Sequence, residues 1–192
     1  MESVAAPSPA SSLATYPEAL DALHRRVSPG RLVCSPDGYV LASPAALPDA
    51  AAGPLSRFGL AVTRAQPGAD AGQFARGLLS LHQELLETVL RQVMRHLEGR
   101  NSGGATLASK DLIRGQLADI GIRLSEAREI IEWPREAGPQ AGWRLHLRQV
   151  AIGRLLLLLL GGSGFLADGP GRDLHLAEVA GNVYLHPAAE NA

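Results

Sequence analysis

Arg154-Leu155-Leu156-Leu157-Leu158-Leu159-Leu160-Gly161-Gly162-Ser163-Gly164-Phe165-Leu166-Ala167-Asp168-Gly169-Pro170 is the stretch whose reading decides the fold of this 192-residue chain. Six leucines in a row are apolar all round, so a helix here is expected to be buried on every side. Such a helix is the axis of a bundle, with other helices around it. The glycines that follow stop it and let the chain reverse.

Outward from that stretch, a helix is expected to run from about Trp143 into the leucines, and a shorter one from about Arg172 to Tyr184. Upstream, Asp70 and Gln73 have the spacing of a capping box. Phe74, Leu78, Leu81, Leu85, Val89, Val93 and Leu97 then recur at steps of three and four, one face of a long helix ended by Gly99 and the 101–104 turn. The next helix is expected from about Leu107 to Trp133, with Ile113, Leu117, Ile120, Leu124, Ala127 and Ile131 inward and Asp119 able to pair with Arg123 outside. Pro134 stops it, and residues 135–141 form a loop. Four helices with short connections predict a mainly α, up-down four-helix bundle.

The first seventy residues differ in kind. Tyr16 to Arg26 reads as a short helix with Leu20, Leu23 and Val27 on one side. Leu32-Val33-Cys34 and Tyr39-Val40-Leu41 flank Ser35-Pro36-Asp37-Gly38, whose Pro and Gly suit a turn, so a hairpin is expected, with Leu60-Ala61-Val62-Thr63 as a third strand. A sheet this small must lean on the helices or on a partner. The organisation expected is a disordered N-terminus at 1–12, a small helix-plus-hairpin α/β remnant at 13–69, and a bundle at 70–192.

Composition narrows the functional classes. Hydrophobic residues make up 46% and the net charge is −1, which argues against nucleic acid or an anionic membrane as the main partner. The single cysteine, Cys34, excludes an internal disulfide and a cysteine-rich metal site, and it reads as a packing residue. Residues 1–12 have no basic and apolar regions of a signal peptide. The longest wholly apolar run, 155–160, is far shorter than the roughly 20 residues of a membrane span. A soluble, cytoplasmic protein is the expectation.

Chemical motifs are sparse. His82, His96, His146, His175 and His186 show no metal-ligand spacing and read as solvated or partly packed imidazoles. The mixed charges Asp111, Arg114, Asp119, Arg123, Glu126, Arg128, Glu129 and Glu132 read as a solvated helix face. Ser163 in Gly-Gly-Ser-Gly follows a helix rather than the strand that a serine elbow needs. The same glycines lack the Gly-Lys-Ser/Thr of a phosphate loop.

Three stretches together resemble the C-terminal domain of the acyl-CoA dehydrogenases. Arg100-Asn101-Ser102-Gly103-Gly104 stands where the family has R-x-x-F-G. Leu117-Ala118-Asp119-Ile120, followed by Arg123-Leu124, is similar to its L-A-D-M block at the family's distance. Gly161-Gly162-Ser163-Gly164-Phe165, with Asp168 and Pro170 after it, is similar to G-G-x-G-Y/F and D-x-P. The resemblance covers about Gln66 to His186, and residues 59–68 resemble the exit from the family's β-domain. It implies a four-helix bundle and a flavin-dependent acyl-thioester oxidoreductase lineage in bacterial metabolism, here without the N-terminal helical domain and most of the β-domain.

The resemblance also implies losses. The family's base, the Glu of Y-E-G-T, corresponds to Leu185 in Tyr184-Leu185-His186-Pro187, and the alternative position at the first bundle helix reads Gln73-Phe74. Leucine cannot abstract a proton. By the resemblance Arg100 keeps a charge for a neighbour's flavin pyrophosphate, a role that suits a planar guanidinium. Gly103 replaces the motif's Phe, Asp111 a family glutamine, and Leu158 or Leu159 another.

Three functions follow as expectations. The first is a non-catalytic or cofactor-sharing subunit, in a homo-oligomer or paired with a full-length acyl-CoA dehydrogenase-like protein, with FAD held only through that partner and exposed apolar surface needing cover. The second is a flavin-free enzyme acting on an acyl thioester or polyketide-like intermediate, with Tyr184, His186, Asp111 and Arg114 as polar candidates around a closed apolar pocket. The third, a flavoprotein with a compact site of its own, is the weakest. The first is favoured, and no metal site is expected.

Overall fold

The computed structural model describes residues 15–66, 70–133, 138–166 and 169–187. The expectations placed on residues 1–12, Pro134 and Asp168 lie outside them. The fold is mainly helical, with five α-helices among the described residues: α1 (Tyr16–Val27), α2 (Ala71–Glu98), α3 (Asp111–Glu132), α4 (Pro139–Leu160) and α5 (Pro170–Tyr184). Successive members of α2 to α5 alternate in direction. Arg128 of α3 meets Glu87 of α2, Asn182 of α5 meets His146 of α4, and His82 and Gly153 set α2 and α4 side by side in the same sense.

The axis is α2, not the leucine run. α2 packs against α1, α3, α4 and α5, and its buried face is correspondingly broad: Phe74, Leu78, Leu79, His82, Gln83, Leu86, Val89, Val93 and Leu97. Leu81 and Leu85, expected inside, are half-buried. In α4, Leu156 and Leu160 are buried, but Leu158 is 72% exposed. A six-residue run covers more than a full helical turn, so some of it must point away from any core on one side. One described stretch, Pro139–Phe165, is by length and composition apolar enough to cross a membrane, with mean hydropathy 1.3. It is longer than the wholly apolar run because it includes residues outside 155–160. Its inner side packs on α2, α3 and α5, while Arg144, Arg148 and Arg154 are exposed.

Local chemistry sets the remaining boundaries. The Asp70–Gln73 capping box does not form: Asp70 has φ −87° and ψ 1°, outside the extended region a cap needs, and makes no side-chain cap bond. Its carboxylate lies 3.6 Å from Arg31 instead. The Asp119–Arg123 pair also does not form, and α3 is tied to α2 by Arg128 and Glu87 at 2.5 Å. Between α2 and α3, Asn101–Ser102 pairs with Ala105–Thr106 around Gly103 and Gly104, whose φ values of +62° and +80° suit a tight hairpin turn.

The N-terminal hairpin is also re-paired. Tyr39–Ala42 (β1) pairs antiparallel with Ala61–Arg64 (β2), and Leu32-Val33-Cys34 is not a strand. The Ser35–Gly38 turn forms as read, with the Gly38 N–H donating to Ser35 O at 3.0 Å. Two-stranded sheets are not self-supporting. This one shares a core with the helices, in which Tyr16, Leu20, Val33, Leu41 and Leu60 pack with Phe74, Leu78, Leu176, Ala180 and Tyr184.

Candidate functional site

At the C-terminus of α5, where the resemblance sets the family's base, Leu185 is 5% exposed and part of the core. Tyr184 is fully engaged. Its hydroxyl accepts from the Leu41 N–H at 2.8 Å and donates to Val33 O at 3.3 Å. Burial raises its pKa. The neighbouring His24 accepts the Val33 N–H at Nδ1, 3.0 Å, so Nε2 carries the proton and donates to Leu41 O at 2.9 Å. Its ring packs 4.5 Å from Phe74, which lies 4.6 Å from Tyr184. These groups hold the 33–41 segment against the bundle. They are closed to solvent and leave no atom free for proton transfer.

A second polar line crosses the core beside them. Tyr16 and His82 share a hydrogen bond of 2.8 Å, His82 and His146 lie with ring centroids 5.8 Å apart, and His146 Nε2 meets Asn182 Oδ1 at 3.2 Å. Gly181 makes room for this, since a Cβ there would overlap the His146 ring. His82 and His146 are 3% and 0% exposed, which corrects their reading as solvated or partly packed groups. Burial, then the His146 charge, lowers the His82 pKa to about 3; burial lowers His146 as well. Gln149 Nε2 donates to Leu79 O at 2.9 Å and Gln83 Nε2 to Leu124 O at 3.0 Å, pinning helices across the bundle. His146 Nδ1 and both glutamine oxygens have no partner. His186 is exposed and lies edge-on to Trp143, 4.8 Å away.

The other sequence candidates sit at the far end. Arg100 follows α2, is exposed, and donates to His96 Nε2 at 3.2 Å. Asp111 and Arg114, at the start of α3, pair with each other at 3.8 Å and are exposed. The 28 residues of α2 separate the two ends by about 40 Å. Tyr184 and His186 therefore do not converge with Asp111 and Arg114. Of the flavin positions that the resemblance implies, Arg100 is an exposed cation, Leu158 presents a bare alkyl group to solvent, and the Tyr184 end is filled by β1. Among the described residues, no group of three His, Cys, Asp or Glu side chains is placed to hold a metal ion. Cys34 is buried, with Sγ donating to Ala65 O at 3.2 Å, and Ser163 Oγ donates to Leu160 O at 2.7 Å.

Neither a protein-family model nor a curated protein matches the chain. On α3, Leu112, Ile122 and Ile130 are 75%, 59% and 37% exposed, and Trp133, just beyond the helix, is 76% exposed. At 3.6 residues per turn the three helical positions fall within an arc of about 80°, roughly 130° round the helix from the buried Ile120, Leu124 and Ala127. Two surface grooves flank α4. One, with α3, is lined by Asp119, Ile122, Arg123, Glu126, Arg148 and Ala151. The other, with α5, has a volume of about 640 Å³. Sequence reasoning did not single out His24, Asn182 or Gln149. The periodicity held a signal for His24, which shares a helix face with Tyr16, Leu20 and Val27.

Proposed function

We propose that this chain is a non-catalytic, acyl-CoA dehydrogenase-like subunit that docks, through the outer face of α3, on a flavin-holding acyl-thioester oxidoreductase partner. The observation that carries the reading is the set of exposed apolar side chains Leu112, Ile122 and Ile130 on α3, with Trp133 just beyond it. A helix with apolar residues on an exposed flank as well as on its buried face is suited to a second packed neighbour. The buried Leu185 and the fully engaged Tyr184 support a role without proton abstraction. Arg100, exposed at the end of α2, is available to a phosphate held by the partner.

The test is co-expression with a complete acyl-CoA dehydrogenase-like protein, followed by size-exclusion chromatography with light scattering. A yellow complex of defined stoichiometry, lost in Ile122→Lys while that variant stays folded, supports the reading. A colourless homodimer with no affinity for such a protein overturns it.

A further inference from the structure

The glycine turn after α4 is a packed element rather than a loose link. Gly164 is buried. A Cβ on Gly171 would lie 2.5 Å from Gly164 O, and one on Gly169 would lie 2.8 Å from Ser163 O. The start of α5 is therefore locked backbone to backbone against the turn. That contact holds Phe165 and Leu166 outward, 69% and 64% exposed, at the mouth of the groove between α4 and α5. The groove has an apolar floor of Phe58, Val150, Leu157 and Leu174.

Its rim is cationic. The Arg57 guanidinium stacks over the Phe58 ring at 4.6 Å. Arg154 pairs with Glu178 at 2.7 Å, the acidic group on the lining. Arg172 donates through Nη2 to Phe58 O at 2.7 Å, while its buried Nε has no acceptor. Three arginines against one glutamate leave a net charge of +2 on the lining, with His175 beside them and the Asp173 carboxyl close enough to Arg172 to interact with its charge. The buried Nε is out of reach of the groove, so an anionic group at the rim would meet the charge of Arg57 and of the outer part of the Arg172 guanidinium. A volume of about 640 Å³ is within the range of small-molecule sites, about 300–1,000 Å³.

We propose that this groove binds a single-chain amphiphilic anion, its alkyl chain along the Phe58, Val150, Leu157 and Leu174 floor and its carboxylate on Arg57 and Arg172. The assignment goes beyond the subunit role and does not depend on it, because the α3 face is elsewhere on the bundle. The full chain is titrated with monomeric dodecanoate, with neutral dodecanol, and with anionic phospholipid vesicles, by calorimetry and by amide chemical shifts. Dodecanoate is expected to bind more tightly than dodecanol and to move the Gly153 and Gly171 amides while leaving Gly115 on α3 in place. Arg57→Gln and Arg172→Gln are each expected to weaken dodecanoate about tenfold, the loss of one hydrogen bond to a charged group, with little effect on dodecanol. Phe165→Ser weakens both. Arg57, exposed and stacked only on Phe58, keeps the test valid if Arg172→Gln fails to fold. Equal affinity for dodecanoate and dodecanol, shifts on α3 instead, binding to vesicles without monomer binding, or no binding at all overturns the proposal.

Discussion

The two ends of the bundle treat polar and apolar groups in opposite ways. At the Phe74 end, His24, His82, His146, Tyr16 and Tyr184 are buried and hydrogen-bonded to partners in four elements or segments. Toward the other end, Leu158, Phe165 and Leu166 face solvent, and Arg100, Asp111 and Arg114 are exposed. Buried polar groups need partners, and here the partners are the chain's own backbone, the Asn182 amide and, for Tyr16 and His82, each other. The first end therefore serves architecture. The second is the region that remains open to other molecules.

Truncation experiments break this comparison most strongly. Phe74→Ala is expected to cost about 3–5 kcal/mol, the usual range for emptying a phenylalanine site in a core, whereas Leu158→Ala should stay within about 0.5 kcal/mol. Urea denaturation of both variants measures the contrast, and similar losses would remove it.

Acid provides the next largest effect. Burial holds the folded-state pKa of His82 at about 3, against an ordinary 6.5, so the unfolded chain takes up the proton first. Stability from this group is complete above pH 6.5 and declines as the pH falls below it. Two units lower, at pH 4.5, the loss is about 3 kcal/mol. His24 and His146 shift in the same direction and add to it. Urea midpoints between pH 7 and 4.5 should fall steeply for the native sequence and less for His82→Gln.

Tyr184→Phe comes third. It leaves the buried Leu41 N–H without its acceptor, a cost of about 1–3 kcal/mol. Limited proteolysis should then cut within residues 30–42 before the helices. Arg100→Gln is the smallest perturbation. It removes an exposed group bonded to His96, so stability should change by less than about 0.5 kcal/mol, while affinity for a flavin-holding partner should fall.

Helix positions were legible because α2 carries strong periodicity and because Gly99, Pro134 and Gly161 stand where α2, α3 and α4 end; the start of α4 was not, since it begins at Pro139, inside the stretch 135–141 expected as a loop. Rank within the bundle was not. Leu155 to Leu160 looked like the axis because composition records apolarity without direction, while α2 reaches that place with His82 and Gln83 on its buried face. Strand pairing was misread for a related reason. Leu32–Cys34 has the right residues, but the backbone groups of Val33 face His24 and Tyr184 instead, and only long-range contacts could reveal that. At the candidate site, Leu185 was legible as an apolar residue, and it packs in the core. The engagement of Tyr184 by residues about 150 positions away in sequence was not.

We propose that the inner end of the chain is structural and that a partner holds the flavin. The decisive measurement is an absorption spectrum of the chain purified alone, and again after isolation with a co-expressed dehydrogenase-like protein. No flavin bands are expected from the chain alone, and flavin bands are expected from the complex. Stoichiometric flavin in the isolated chain would contradict it.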